Sequence, residues 1–362
     1  MYSESFVEGF TDVMLEIYPS FRKDAYLKQV FTEDWPQLEL KERMRKLSAV
    51  LRVELPEDLD AALEIIVAVI DHLRGDEEES MSFEYMFLPD FVEQYGLDDF
   101  DASVKAMEAI TKFTSCEFAV RPFLVRYPKP MIDQMLIWSK HSHAMVRRLA
   151  SEGSRPRLPW GLGVPGLKKD PSPTLPILEN LKTDSSETVR RSVANHLNDI
   201  SKDHPELVMD IAERWKGIST DTDRLVRHAC RGLLKQSHPR ALMLFGLGHA
   251  DKIEIDSFKL HTPTVQIGAY LEFEFDLQHT HQEALTIRLE YAIYYLKANG
   301  THSRKVFKVS EKDYEAGSTH RIQRRQPFKL ITTRVFYPGE HRISIIANGR
   351  EFAQHNFTLK AK

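Results

Sequence analysis

The chain has 362 residues, of which 42% are hydrophobic and 28% charged, and its formal net charge is −4. This composition is typical of a globular protein with a sizeable core and argues against a disordered chain or a membrane span. Its two cysteines, Cys116 and Cys230, are too few for a disulfide scaffold and fit a reducing cytosol. The acidic residues 1–5 lack the basic and apolar regions of a signal peptide. We therefore expect a cytoplasmic protein of two or three domains, with no paired Cys or His motif of a metal site.

The charge is distributed very unevenly along the chain. Residues 1–110 carry 10 basic and 26 acidic side chains, whereas residues 111–240 carry 22 and 14, and residues 241–362 carry 17 and 13. Only the last two regions have the positive balance that suits a phosphate backbone. Apolar residues at helical spacing, such as Leu59, Leu63, Ile66 and Ile70, predict helices in the first region, and residues 75–80 predict a charged turn. We expect this acidic region to pack and cap the fold.

Residues 111–248 contain a weak repeat. The segments Val146-Arg147-Arg148, Val189-Arg190-Arg191 and Val226-Arg227-His228 are separated by 43 and 37 residues, and each is predicted to open a helix. A helix pair that recurs at this spacing indicates an α-solenoid of the HEAT type. Arginines at successive helix starts would line one concave surface and suit the phosphates of nucleic acid.

One long segment interrupts the repeat. Residues 153–176 contain six prolines and four glycines, which predicts an irregular loop without a helix. The loop begins inside residues 147–160, where four arginines, one glutamate and one tryptophan occur together. Long irregular loops in compact domains are usually functional or disordered, and this composition favours function.

After residue 250 the pattern changes to short strands. Alternating apolar residues predict strands at 270–277, 285–296, 328–336, 341–347 and 352–359, with turns at Asn299-Gly300 and Asn348-Gly349. The predicted fold is a HEAT-like α-solenoid, residues 1–248, followed by an immunoglobulin-like antiparallel β-sandwich, residues 249–362.

Three motifs carry a resemblance to a known family. Residues 114–123, 146–160 and 192–200 resemble the AlkC branch of the AlkC/AlkD DNA glycosylases, which are HEAT-like-repeat proteins that excise alkylated bases. The resemblance extends over residues 1–245, and some members of this branch also carry an immunoglobulin-like domain. It implies a bacterial enzyme that removes cationic lesions such as 3-methyladenine and 3-methylcytosine. We further expect a monofunctional monomer that acts on double-stranded DNA without a cofactor and associates with the nucleoid when bound. The resemblance also implies contact with the lesion without extrusion of the base into a deep pocket.

The resemblance implies a site made of Glu117, Glu152, Asp199 and Trp160. A base that is methylated at N3 is cationic and leaves readily, so the enzyme must stabilise the oxocarbenium ion and present a water. Glu117 and Asp199 would perform both tasks, by the same logic as the paired carboxylates of sugar hydrolases. Glu152 would support them or contact the sugar, and Trp160 would pack against the lesion nucleotide.

The residues alone leave other interpretations open. Glu117 lies four residues before Arg121, and Glu152 lies four residues after Arg148, so each spacing also fits a local surface ion pair. Asp199 could simply face solvent on its helix. The alternative function is a non-enzymatic HEAT-type DNA-binding or scaffold protein with an Ig-like module, which would need the arginines but not the carboxylates.

We expect ten arginines to contact DNA, six of them in the helical repeats and four in the β-domain, where basic clusters would clamp the duplex from the side opposite the solenoid. The alternative for these side chains is an ordinary solvated surface. The ten residues are Arg148, Arg155, Arg157, Arg190, Arg191, Arg227, Arg304, Arg321, Arg324 and Arg325.

Overall fold

The computed structural model describes residues 1–74, 82–330 and 335–361. It divides into two compact units, Met1–Ala229 and Cys230–Lys362, so the predicted boundary at 248/249 falls inside the second unit. The predicted order of a helical region followed by a β-domain is confirmed. The predicted turn at residues 75–80 lies outside the described residues.

The acidic first third is helical, as predicted. Its helices are amphipathic, and α4 buries Leu63, Ile66 and Ile70 on the predicted face. A capping box between Glu39 and Glu42 starts α3 and places the intervening residues in its first turn. Over the described residues of this region, the α-helices are α1 Glu4–Ile17, α2 Lys23–Val30, α3 Leu40–Glu54, α4 Leu59–Arg74, α5 Phe87–Tyr95 and α6 Phe100–Ile110.

The second part of the first unit contains the predicted helical repeat. Its helices are α7 Val120–Arg126, α8 Pro128–Trp138, α9 Ala144–Gly153, α10 Pro165–Lys169, α11 Leu175–Leu181, α12 Glu187–Ile200, α13 Pro205–Trp215 and α14 Thr220–Ala229. Helix α12 packs between α9 and α14, while α8, α11 and α13 pack against this row. The result is the double layer of a HEAT-like array, in which side chains from successive repeats meet.

Two sequence predictions in this region are wrong. The segment Val226-Arg227-His228 lies in the last turn of α14 and does not open it. The Pro-rich segment 153–176 contains the short helix α10, because Pro165 occupies its first position, where a missing N–H breaks no helical hydrogen bond.

The second unit begins with the short helices α15 Arg231–Lys235 and α16 Pro239–Leu244 and continues as two β-sheets. The strand order is β1-β3-β6 in one sheet and β2-β8-β7-β4-β5 in the other, and every pairing is antiparallel except β2 with β8. Both sheets contribute to one apolar core, in which Phe273 meets Tyr291 edge to face at 5.1 Å between ring centroids. The strands are β1 Ile253–Leu260, β2 Thr264–Gln266, β3 Tyr270–His279, β4 Leu285–Leu296, β5 His302–Tyr314, β6 His320–Pro327, β7 Gly339–Ala347 and β8 Arg350–Lys360.

The predicted strands agree with the structure at four of five places. Strand β4 has the predicted bounds, and the Asn299-Gly300 turn joins it to β5. The fifth, at 328–336, is wrong for residues 328–330 and 335–336, which lie outside strands, and residues 331–334 lie outside the described part of the chain. No helix in the described ranges is long and apolar enough to cross a bilayer.

Candidate active site

Helices α9 and α12 bring two of the predicted carboxylates to one guanidinium. Arg155 donates from Nη1 to Glu152 Oε1 at 2.6 Å and from Nε to Asp199 Oδ2 at 2.7 Å. The second oxygen of each carboxylate is also occupied, by Ser192 Oγ on Glu152 at 2.6 Å and by Lys202 Nζ on Asp199 at 2.8 Å. Glu152, Arg155 and Asp199 are all buried. The two acids are therefore fixed in a buried network, where charge interactions are strong.

Arg155 was predicted to contact a DNA phosphate, and its environment does not fit that role. Burial acts to lower the pKa of its guanidinium, but the charges of Glu152 and Asp199 outweigh this effect and raise the pKa. Its side chain is 7% exposed and fully engaged by the two carboxylates. Arg155 thus holds the acids in place, which corrects the sequence prediction.

Glu117 lies in the segment before α7 and is bound from α9. Its Oε2 accepts hydrogen bonds from Arg148 Nη2 at 2.8 Å and from Ser115 Oγ at 2.9 Å. Its side chain is 18% exposed, more than that of either other acid. Arg148 is therefore engaged by Glu117 in this structure.

The structure does not form the local pairs expected of Glu117 with Arg121 and of Glu152 with Arg148. Glu117 pairs with Arg148 in the next repeat and not with Arg121, while Glu152 pairs with Arg155 and not with Arg148. Asp199 is buried and does not face solvent. Glu152 and Asp199 each have one local partner, three residues away, but all three acids also have partners far away in sequence, which spacing along one helix cannot indicate.

Arg121 is a site residue that the sequence analysis missed. Its Nη1 donates to the carbonyls of Gly153 and Arg155, both at 2.9 Å, and its Nε donates to the carbonyl of Leu162. Burial lowers the pKa of Arg121 to about 10, the charge of Arg155 acts in the same direction, and the charges of all three acids oppose it. Glu117, Glu152 and Asp199 thus lie within electrostatic reach of one buried guanidinium. An arginine in the otherwise apolar stretch 119–124 was the available signal.

Trp160 lies on the loop whose backbone carbonyls, at Arg155 and Leu162, accept hydrogen bonds from Arg121. Its side chain is 78% exposed, and its backbone adopts a left-handed conformation with φ of 64°. The adjacent Gly161 packs so closely that a Cβ there would lie 3.2 Å from both Phe118 Cδ1 and Arg121 Cδ. The structure therefore connects Trp160 to the carboxylates through Arg121 and the segment that carries Glu117.

The remaining arginines of the first unit that were predicted to contact DNA are exposed or partly buried. Arg157 forms an ion pair with Asp203, with Nη2 and Oδ1 2.8 Å apart. Arg190 donates to two backbone carbonyls and pairs with Asp221 at 3.1 Å, while Arg191 is 67% exposed and pairs with Glu187. Arg190, Arg191, Arg224 and His228 line a groove of about 600 Å³ between α12 and α14. Arg227 lies partly buried at the end of α14.

In the second unit, three predicted arginines share strand β6. Arg321 pairs with Asp276 at 2.9 Å, and Arg325 stacks over Tyr270 at 4.8 Å from the ring centroid. Arg324 and Arg325 line a groove of about 500 Å³. On the other sheet, Arg304 donates to Tyr294 Oη at 3.2 Å and approaches Glu351. All four side chains lie on exposed sheet surface.

Comparison with known proteins identifies the family. Residues 41–233 match the family described as DNA alkylation repair enzyme, and residues 254–361 match the C-terminal Ig-like domain of the uncharacterised protein YhaZ. YhaZ of Bacillus subtilis (strain 168) is 44% identical over 349 residues, which are 96% of this chain and 95% of that protein. The alkylpurine DNA glycosylase AlkC of Pseudomonas fluorescens, solved bound to DNA containing an abasic site analog, matches with a TM-score of 0.92 and 36% identity over 99% of this chain and 98% of its own. The chain therefore belongs to the DNA alkylation repair enzyme family, as an AlkC-like member with a C-terminal Ig-like domain.

Proposed function

We propose that this chain is a DNA glycosylase that hydrolyses the N-glycosidic bond of cationic alkylated bases, namely 3-methyladenine and 3-methylcytosine, in double-stranded DNA. The observation that carries the proposal is that Glu152 and Asp199 share the buried Arg155, while Arg148 of the same helix α9 holds Glu117, next to Phe118 and the exposed Trp160. The likeness to the AlkC glycosylase, whose solved structure contains abasic DNA, supports the same reaction class.

The chemistry follows from the charge of the lesion. Cleavage of the glycosidic bond sends its electron pair to the cationic base, which leaves neutral, and an oxocarbenium ion remains on the sugar. We assign the stabilisation of that cation to Asp199 and Glu152, whose carboxylates Arg155 holds in fixed positions. Among the described residues, both hydrogen bonds that Glu117 accepts end on Oε2, so Oε1 can take a proton from the attacking water. The water oxygen bonds to the anomeric carbon and yields an abasic sugar.

The surface around Trp160 favours excision without full extrusion of the base. The depression beside Trp160, Phe118 and Lys41 measures about 60 Å³. Pockets that enclose small ligands typically have at least roughly 300 Å³. The exposed indole can instead pack against the cationic nucleotide at the protein surface, a contact worth about 0.5–2 kcal/mol. This proposal departs from the deep-pocket extrusion that most base-modifying enzymes use.

Arginines on both units would hold the duplex. Arg190 and Arg191 border the groove between α12 and α14, and we propose Arg227 at the end of α14 and Arg157 as further phosphate contacts. Arg148 would act through Glu117. In the Ig-like domain, the proposed contacts are Arg304, Arg321, Arg324 and Arg325. We propose that the protein acts as a monomer, without a metal or other cofactor.

Base release from defined duplexes tests this function. One duplex contains 3-methyladenine and a second contains 3-methylcytosine, and free base is measured by chromatography with chelator present and absent. We expect release of free base in both conditions and an abasic strand that stays uncleaved until alkali is added. DNA binding without any base release would contradict the enzyme and favour the scaffold alternative. Strand cleavage without alkali would contradict a simple hydrolysis.

A further inference from the structure

The acidic N-terminal region contributes a cation to the loop of Trp160. Lys41 lies exposed in the first turn of α3. Its Nζ donates to the carbonyl of Trp160 at 2.6 Å, across 119 residues of sequence. The same Nζ lies 5.2 Å from the centroid of the Phe118 ring, and Phe118 directly follows Glu117. One ammonium group therefore contacts both the segment that carries Glu117 and the loop that carries Trp160.

The backbone of Trp160 needs such support. A left-handed conformation is unfavourable for a bulky residue and persists only where the surrounding contacts hold it. The indole is mostly exposed, so its own packing does not fix its direction. Arg121 fixes the carbonyl of Leu162, two residues later, and Lys41 fixes the carbonyl of Trp160 itself. The direction of the indole thus depends on these backbone contacts.

We propose that Lys41 is a positioning residue for Trp160: it fixes the peptide so that the exposed indole points toward the lesion. This inference rests on the role proposed above for Trp160 in excision. The sequence predicted only packing and capping for the acidic region. Under this proposal, a residue of that region also positions a side chain of the site. The conservative Lys41→Arg variant keeps a donor that can reach the carbonyl, whereas Lys41→Met removes it.

Fluorine NMR of the full chain labelled with 5-fluorotryptophan tests the positioning directly. The other three tryptophans, Trp35, Trp138 and Trp215, are buried, and a Trp160→Phe variant assigns the Trp160 resonance. We expect Lys41→Met to shift or broaden that resonance alone and Lys41→Arg to restore it. Lys105→Met, which removes an exposed lysine of α6, should leave all four resonances unchanged. An unchanged Trp160 resonance in Lys41→Met would overturn the proposal.

Excision under single-turnover conditions supplies the second readout. Misplacement of a group that contacts the substrate by about 1 Å can cost up to roughly 100-fold in rate, so we expect a loss of about tenfold or more in Lys41→Met, with recovery in Lys41→Arg. A displaced resonance with a wild-type rate would uphold Lys41 as the residue that positions the indole and would refute the proposed role of Trp160. A lower rate with an unchanged resonance would overturn the positioning role and leave the glycosylase function standing.

Discussion

At the scale of single residues, the site is a set of buried charges that depend on one another. Arg121 and Arg155 are buried cations, and Glu152 and Asp199 are buried anions. A buried charge destabilises the fold unless it is paired and hydrogen-bonded. A substitution that removes one partner therefore leaves the other charge unpaired and lowers the free energy of unfolding. This coupling gives two predictions about stability.

Arg155→Met should destabilise the protein strongly. The variant leaves Glu152 and Asp199 buried without the guanidinium that joins them, and breaking a buried pair in this way costs about 3–5 kcal/mol. Urea denaturation of the full chain measures the free energy of unfolding, with Arg214→Met, an exposed arginine of α13, as the control. If the two variants are equally stable, the buried network does not have the strength that its geometry indicates.

His196 should make the stability of the protein depend on pH. Its Nδ1 donates to the carbonyl of Ser151 at 2.9 Å, and burial lowers its pKa from 6.5 to about 3. Between these values the unfolded chain binds a proton that the folded chain does not, so stability is lost as the pH falls below the unfolded pKa. His196→Asn keeps a donor but does not titrate.

Between about pH 7.5 and pH 5.5 the wild type should therefore lose about 1.4 kcal/mol more than His196→Asn. Denaturant titrations at the two pH values measure this difference. Parallel pH dependence in the two proteins would show that His196 is not held neutral in the fold.

At the scale of elements, the row formed by α9, α12 and α14 accounts for both the site and the neighbouring groove. Helix α12 supplies Asp199 and Ser192 to the carboxylate network and Arg190 and Arg191 to the groove. The two functions occupy different faces of one helix, since Ser192 is buried and the adjacent Arg191 is exposed, so they can be tested separately.

Arg191→Ala should weaken DNA binding without changing the excision step. Its exposed guanidinium borders the groove, and loss of one phosphate contact should reduce the slope of log affinity against log salt by about 1. Binding to an abasic-analog duplex at several salt concentrations measures the slope, with Arg214→Ala on α13 as the matched exposed control. If Arg191→Ala and Arg214→Ala have the same salt-dependence slope, the DNA phosphates do not contact Arg191.

The same elements show what could be predicted from sequence. Strand β4 was predicted with its observed bounds, because apolar residues alternate along its sequence; the structure also buries the intervening residues 288, 290 and 292. The helix pairs were predicted from recurring apolar and proline positions. The partner of Glu117 was not, because Arg148 lies 31 residues away and the i,i+4 rule describes only one helix. The contact between Lys41 and Trp160 likewise depends on packing between distant helices, for which no local pattern exists.

At the scale of the whole molecule, the acidic and the basic regions of the chain contribute different parts of the proposed site. The acidic first third supplies helices and, through Lys41, a contact to the Trp160 loop, while the basic middle third contains the carboxylate network. The Ig-like unit adds a further set of exposed arginines on β6. We expect these arginines to contribute to the affinity of the full chain for DNA.

Substitution of both Arg324 and Arg325 by alanine should lower the affinity for duplex DNA. It should also reduce the slope of log affinity against log salt concentration by about 2. Lys312 and Arg350, two cations of the other sheet, provide a double-alanine control of equal charge. Fluorescence anisotropy with a labelled duplex measures both quantities. If the two double variants bind DNA alike, the β6 arginines are a solvated surface.

The proposed role of Glu117 is to take a proton from the water that attacks the sugar. Single-turnover excision of 3-methyladenine by Glu117→Gln, beside the wild type and the exposed control Glu64→Gln, tests it most directly. We expect an excision rate lower by a factor of about 10²–10³ for Glu117→Gln, with wild-type affinity for an abasic-analog duplex, and a wild-type rate for Glu64→Gln. Release of the base by Glu117→Gln at the wild-type rate would contradict it.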